Sequence, residues 1–379
     1  MSGRWVEFEW RGRPAQAWMP DPLSQRTFEF AESTVRAAEK ATAALAASDG
    51  TLPANWEPLA RLLLRAEGIA SSSIEGVRAP VIEVAVAEIS TVATSAGWIA
   101  DNLATVVDAL SHAQQDPASP LTLDVLHGWH RRLMDHSQLA PEMIGALRTA
   151  PSWIGGTSPL DAAFVPPPAG AVPELMQALI GYANSDQHDP VTQAALLHAQ
   201  FETIHPYGDG NGRLGRVLIG WLLSRRGVFA KLPPPISVLV ARDPGGYISG
   251  LHLFREGPID SWVRWFADIA AAAARQSTAM VRAVTAQLDR WQRDLGDLRT
   301  DAAAVRLIER LPEAPVVTSA RAAELLGVSN RSGRAALEAL HARGIIDKVD
   351  ISSPESSPRG RPAQYYAATA LLDVAAVAS

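Results

Sequence analysis

The 379-residue sequence contains no cysteine. Disulfides and thiolate metal sites are thereby excluded, and a reducing compartment is compatible with the chain. There is no apolar run near the roughly 20 residues that cross a bilayer; the Ala-rich stretch 269–274 is short and bracketed by Asp268 and Arg275. Positive charge is not in excess, because 34 Lys and Arg face 40 Asp and Glu for a net −6. The chain is therefore no general polyanion binder, and any nucleic-acid contact needs a local basic patch. The first ten residues interrupt their apolar positions with Arg4, Glu7 and Glu9, unlike a secretory signal. These absences lead to the expectation of a cytoplasmic protein with no membrane partner. What is present is ordinary for a globular protein, 47% apolar and 20% charged. At roughly 100–200 residues per domain, two or three domains are expected.

Residues 1–30, with Pro14, Pro20 and Pro22, read as an irregular arm. Residues 28–47 are rich in Ala, Glu and Lys and favour helix, ended by Ser48-Asp49-Gly50. Residues 57–68 place Leu59, Leu62, Leu63 and Ala66 on one helical face. A further helix follows Pro80, and another covers 122–136 with Thr122 as its cap. Residues 151–156 and 163–166 then read as two short strands around a polar turn. Helix resumes over 172–185. Asp189 and Pro190 supply an N-cap and a first helical proline for a helix to Ile204. The next helix runs from Asn211 to Arg226, and a long Ala-rich one from Trp262 to Leu298. The last eighty residues give helices over 302–311, 319–326 and 329–343, then strands over 345–349 and 363–368 around a polar loop. Three helices followed by a hairpin is the winged-helix pattern.

The chemistry concentrates between His205 and Arg216, in His-Pro-Tyr-Gly-Asp-Gly-Asn-Gly-Arg-Leu-Gly-Arg. His205 ends one helix and Asn211 starts the next, with Gly208 and Gly210 free to turn the backbone sharply. Backbone N–H groups at a helix start, exposed by glycines, make an anion site. Arg213 and Arg216 lie one turn apart and suit a polyphosphate. Asp209 is the natural ligand for the Mg²⁺ that accompanies phosphates. His205 sits at the lip with the near-neutral pKa of a general base. Leu214, Val217, Leu218, Trp221 and Leu222 fall on another face and enter the core. Gly210-x-Gly212-x-x-Gly215 formally matches a dinucleotide fingerprint, but a helix precedes it and no βαβ unit surrounds it. A P-loop would need a Lys and a Ser or Thr that are absent.

This segment resembles the signature of the Fic (Fic/Doc) family, His-Pro-Phe-x-(Asp/Glu)-Gly-Asn-Gly-Arg-x-x-Arg, with Tyr207 in place of the usual Phe. The resemblance implies transfer of AMP from ATP to a Ser, Thr or Tyr hydroxyl of a target protein, with self-modification included. His205 would be the base and Asp209 the Mg²⁺ ligand. Gly210, Asn211 and Gly212 would cradle the α-phosphate, and Arg213 and Arg216 would hold the β- and γ-phosphates. Leu214 and Gly215 complete the nucleotide-binding run. Trp153, Ile154, Gly155 and Gly156, with Val165 and the prolines after it, resemble the family's flap, which would clamp an extended target segment. Tyr247 carries over a family tyrosine near the adenosine. A homodimer is also implied.

Ser71-Ser-Ser-Ile-Glu75-Gly76 carries a second signal. On a helix, Ser71 and Glu75 share a face; alternatively Ser72 and Glu75 form a capping box at a helix start. The segment resembles the family's inhibitory motif, (Ser/Thr)-x-x-x-Glu-(Gly/Asn). That likeness implies Glu75 pairing with Arg216 and occupying the γ-phosphate site.

The resulting expectation is a mainly α protein: an inhibitory helical region over 1–110, a Fic core with a β-hairpin flap over 111–275, a helical linker over 276–300 and a winged-helix domain over 301–379. Two other functions remain open. One is a different reaction on the same scaffold: AMP removal, or transfer of UMP, phosphate or phosphocholine. The other is a DNA-binding regulator whose core senses nucleotide. Arg331, Arg334 and Arg343 on or after the presumed recognition helix, and Arg359 and Arg361 in the presumed wing, fit DNA, while Glu338, Asp347 and Asp350 oppose it. A protein-interaction or dimerisation module fits equally. His127, His130 and His136 lack a neighbouring carboxylate pair in sequence and read as ordinary helix residues, and His198 as a packed neighbour of His205.

Overall fold

The structure is a computed structural model describing residues 3–53, 55–89, 94–115, 118–299, 301–350 and 364–378. It opens with an antiparallel hairpin, β1 (Gly3–Trp10) and β2 (Arg13–Pro20), where an irregular arm was expected. Arg11 and Gly12 both take positive φ, +50° and +77°, the two-residue turn that matches strand twist. Pro14 and Pro20 had argued against strands. They sit opposite Glu9 and Gly3 at the ends of β2, where a missing N–H costs least.

Four helices follow: α1 (Glu32–Gly50), α2 (Glu57–Ile74), α3 (Val81–Ala87) and α4 (Ser95–Gln115). Helix α2 runs six residues beyond the expected 57–68 and takes in Ser71. Tertiary contacts override the weak propensity of its Gly and Ser residues. Gly68 passes so close to α4 that a Cβ would lie 2.5 Å from Leu103, and Asn102 Nδ2 donates to the Gly68 carbonyl at 3.1 Å. The end of α2 at Glu75 also excludes a capping box at a helix start, since Ser72 and Glu75 lie at its C-terminus. Helix α4 was not anticipated.

Next come α5 (Leu123–Leu133), capped by Thr122, α6 (Val172–Ala183), α7 (Pro190–Ile204) and α8 (Asn211–Arg225). Asp189 caps α7 as expected, accepting from Val191 N–H at 2.9 Å. Every residue from Val191 to Ile204 is buried, so α7 is the central rod of the larger core. Helix α8 lies alongside it with Leu214, Val217, Leu218, Trp221 and Leu222 buried. Between α5 and α6 the expected two strands reduce to one bridge, Ile154 with Phe164. Pro151 and the prolines at 166–168 lack the N–H groups a longer ladder needs.

The chain continues through α9 (Ile236–Arg242), α10 (Pro244–Glu256) and the 36-residue α11 (Ile259–Asp294). The first half of α11 packs into the larger core through Trp262, Phe266 and Ala270. Its second half, through Met280, Val284 and Trp291, joins a second core with Leu59, Leu62 and Ala66 of α2. That second core also holds the C-terminal unit: α12 (Ala303–Arg310), β3 (Val316–Val317), α13 (Ser319–Leu326), α14 (Asn330–Ala342), β4 (Asp347–Val349), β5 (Tyr365–Ala367) and α15 (Thr369–Ala378). Its sheet has order β3-β5-β4, one strand more than expected, and α15 is a further addition. Arg359 and Arg361 lie outside the described residues. Helices α4 and α11 run unbroken through positions 110 and 275, where domain limits had been placed. Among the described residues no helix is long and apolar enough to cross a membrane.

Candidate active site

The site lies where α7 stops and α8 begins. Helix α7 ends because His205 adopts the left-handed conformation, φ +50° and ψ +61°, with Pro206 behind it. Of the two loop glycines expected to supply positive φ, only Gly210 does so, at +74°. Asn211 latches the loop: its Oδ1 accepts from the Tyr207 N–H and its Nδ2 donates to the Tyr207 carbonyl, both at 2.9 Å. Tyr207 is fully buried and stacks on His130 at 4.0 Å. Its hydroxyl, the one departure from the motif, meets His127 Nδ1 at 3.2 Å. His130 Nδ1 accepts from the Gly145 N–H at 2.8 Å, so the ring proton sits on Nε2 and is donated to the Asp209 carbonyl at 3.1 Å. Burial pushes His130 down to about 4, keeping it in this neutral form.

Arg213 and Arg216 share the face of α8 that turns toward α2, and both are nearly fully buried. Glu75 bridges them. Its Oε1 accepts from Arg216 Nη2 at 2.7 Å and its Oε2 from Arg213 Nε at 3.0 Å. Ser71 adds its hydroxyl, at 2.9 Å from Arg216 Nε, and its carbonyl, at 2.8 Å from Nη2. The family likeness implied Arg216 alone as the partner of Glu75; the structure adds Arg213. Gly212 makes room for the bridge, since a Cβ there would stand 2.1 Å from Glu75 Oε1. Burial by itself would lower the Arg216 pKa, but Glu75, Tyr247 and Glu202 hold it above the ordinary value. A cavity of about 320 Å³ opens beside the bridge, lined by Glu75, Trp98, Met134, Leu139, Asp209 and Arg213.

His205 differs from the near-neutral base that was expected. Burial, then the Arg148 charge, push its pKa down to about 4, against the opposing pull of Glu75 and Asp209. The imidazole is therefore neutral at physiological pH, which is the form a base requires. Asp209 projects outward with a 61% exposed side chain, one oxygen accepting from the Gly210 N–H at 2.6 Å and the other 4.0 Å from Arg213.

A Fic/DOC family model matches residues 120–223, which include the whole of this loop. The chain carries a Fic/DOC family domain. It is 35% identical over 151 residues to the protein adenylyltransferase Fic of Drosophila grimshawi, covering 39% of this chain and 28% of that protein. It is 33% identical over 151 residues to the namesake in Culex quinquefasciatus, covering 39% and 27%. The chain thus spans less than a third of the length of these relatives. A Fic family protein from Desulfovibrio desulfuricans superposes with a TM-score of 0.54 at 19% identity, over 91% of this chain and 98% of that one. A Fic-1 fragment from C. elegans superposes at 0.52 and 18% identity, over 66% and 73%. At these identities the structural likeness is one of fold.

Around this Fic domain the remaining expected residues fall into place unevenly. Trp153, Ile154, Gly155 and Gly156, the expected flap, lie on one arm of the Ile154–Phe164 bridge, with Gly155 and Gly156 at positive φ and Asp161 tying the tip through Thr157 and Ser158. The N-terminal hairpin backs it. The Trp18 N–H donates to the Val165 carbonyl at 2.9 Å, and Trp10 meets Trp153 edge-on at 5.5 Å. Tyr247 is buried behind the arginines, its hydroxyl 2.9 Å from Nε2 of the buried His198. Three groups escaped the sequence. Glu202 is buried under Gly215, where a Cβ would lie 2.5 Å from its Oε1, and burial raises it to about 7. Arg148 reaches the carbonyl of His205. His136 meets Asp101 and Asp135, a carboxylate pair that folding assembles across α4 and the end of α5. His136 Nδ1 is already engaged by Asp101 at 2.9 Å.

Proposed function

We propose that the chain is a protein adenylyltransferase, moving AMP from ATP to a Ser, Thr or Tyr hydroxyl of a protein, itself included, and that Glu75 holds it off. The observation carrying this reading is the Glu75 carboxylate seated on both Arg213 and Arg216 at the start of α8. An anion already fills the place that suits a polyphosphate. In the open enzyme, the N–H groups around Gly210–Gly212 receive the α-phosphate, and the two arginines receive the β- and γ-phosphates. Neutral His205 takes the proton of the target hydroxyl. That oxygen forms its bond to the α-phosphorus as the bond to the bridging oxygen breaks, and pyrophosphate departs. Asp209 fits a Mg²⁺ ligand because its carboxylate is exposed, beside the cavity and not locked in a close ion pair. Bound there, Mg²⁺ would supply neutralisation of triphosphate charge.

The test is labelling with a nucleotide panel, using wild type, Glu75→Gly and Glu75→Gly with His205→Ala. ATP labelled at the α-phosphate should mark the Glu75→Gly protein alone. Label from γ-labelled ATP or from UTP would instead indicate another transfer on this scaffold. Loss of AMP from pre-labelled protein, with no incorporation, would indicate removal.

A second reading concerns the C-terminal unit alone. Helix α14 is capped by Ser329 and exposes Arg331 and Arg334 on the side away from its core. This supports a winged helix that sets α14 in a DNA groove. Arg334 is shared with Glu338 at 2.9 Å and Arg343 with Asp297 at 2.7 Å, which weakens the basic face. Retention of a random-sequence DNA library at physiological salt decides it, and no enrichment after selection counts against DNA.

A further inference from the structure

We propose that Arg148 is a positioning residue for the transfer step, tying the backbone of the base His205 to both feet of the flap. This rests on the AMP-transfer reading above. One residue engages five carbonyls. Three are consecutive and bracket the base: Nη2 donates to Ile204 O at 3.3 Å, Nε to His205 O at 2.8 Å, and the Arg148 backbone N–H to Pro206 O at 2.9 Å. The other two are where the flap leaves and returns: Nη1 donates to Ala150 O at 3.1 Å and Nη2 to Pro167 O at 2.6 Å.

Arg148 is only 6% exposed, and no carboxylate pairs with it among the described residues. Desolvation lowers it to about 10, so it remains charged at neutral pH. A buried cation held by carbonyls alone is costly, and a neutral peg would stabilise a loop at less cost. The planar fork can meet carbonyls on two sides at once, which a lysine ammonium cannot. It also acts where the chain is strained: His205 is one of two non-glycine residues with positive φ among those described. A left-handed non-glycine residue persists only when its surroundings hold it there. Fixing the three carbonyls around His205 fixes the direction of its imidazole. Fixing Ala150 and Pro167 sets the flap, and the target segment laid on it, in the same frame. The hydroxyl and its base are thereby placed by one residue that reaches backbone carbonyls and not the reacting atoms.

The experiment compares Arg148→Met and Arg148→Lys in the Glu75→Gly background, with Glu75→Gly as control. Misplacing a catalytic group by about 1 Å costs on the order of 100-fold. Arg148→Met should therefore lower the first-order rate of AMP incorporation at saturating ATP about 100-fold, with the Kd for ATP changed less than about threefold. Arg148→Lys should restore about tenfold, by reaching one or two of the carbonyls. Amide exchange at Ile154 and Phe164, the bridge of the flap, should quicken in both variants. A rate within about threefold of control, or a loss of rate matched by loss of ATP affinity, overturns the proposal. If Arg148→Met does not fold, Arg148→Lys carries the comparison alone, with the same outcomes. If the control itself incorporates no nucleotide, the transfer reading fails separately. Arg148 is then judged by exchange, and unchanged protection at Ile154 and Phe164 overturns its tie to the flap.

Discussion

Replacing Glu75 by glycine should make the protein less stable and more receptive to ATP at once. The side chain makes two charge-assisted hydrogen bonds, 2.7 Å to Arg216 and 3.0 Å to Arg213, and is 26% exposed. Such bonds contribute about 1.5–3 kcal/mol each, and the partial exposure favours the lower end, so their loss costs about 3 kcal/mol. For a chain of this size that lowers the melting temperature by a few degrees. The same bonds must be broken before a triphosphate reaches the arginines. Their removal should tighten productive ATP binding by about 1.5–3 kcal/mol, or roughly 10- to 150-fold. Scanning calorimetry with and without ATP and Mg²⁺ reads both effects. Without nucleotide the variant melts below wild type. With ATP it gains more, since ligand stabilisation grows as RT ln(1 + [L]/Kd). Equal melting temperatures together with equal ATP shifts would refute the idea that Glu75 competes with nucleotide.

Three further outcomes follow from the same geometry. Burial raises Glu202 from 4.5 to about 7, so across that window the folded protein holds a proton that the unfolded chain has released, and stability falls as pH rises through it. Glu202→Gln carries no such proton, and its melting temperature relative to wild type should climb between pH 5 and pH 8; a flat difference contradicts a buried, protonated Glu202. His205 sits at about 4 with Glu75 pulling it up, so the acid limb of AMP incorporation by the Glu75→Gly protein should have its midpoint no higher than about 4, and a midpoint near 6.5 would show a solvated imidazole. Arg65 of α2, 2% exposed, pairs with Glu88 at 2.5 Å and reaches the Glu313 carbonyl at 3.4 Å. Arg65→Ala should loosen the helix that carries Glu75, giving labelling above wild type and below Glu75→Gly; labelling no greater than wild type would show that α2 is held without this pair.

The site was legible where its chemistry is contiguous. From His205 to Arg216 the proposed base, the outward carboxylate of Asp209, the proposed anion loop and the two arginines are all within one turn-and-helix, so spacing alone places them together. Ser71 and Glu75 were legible as a pair because four residues make one helical turn. The contact of Glu75 with Arg213 was not, because it joins α2 to α8 across 138 residues. Arg148, Glu202 and the Asp101–His136 pair act through tertiary contacts and carry no local spacing signal. The His205 pKa depends on how deeply folding buries the ring, which composition does not reveal. The fold followed the same rule. Helices with strong caps, such as Asp189-Pro190 and Ser319–Leu326 before Gly327, were read to the residue. Helix α2 outran its local signals because α4 packs along it, and the N-terminal hairpin was hidden by prolines that lie at its strand ends.

The central claim is that neutral His205 and the loop to Arg216 transfer AMP once Glu75 is removed. Intact-mass analysis after incubation with ATP and Mg²⁺ tests it most directly. The account predicts a gain of one or more AMP units on Glu75→Gly, little or none on wild type, and none when His205→Ala is added. A gain that is the same in wild type and Glu75→Gly, or that survives His205→Ala, would contradict it.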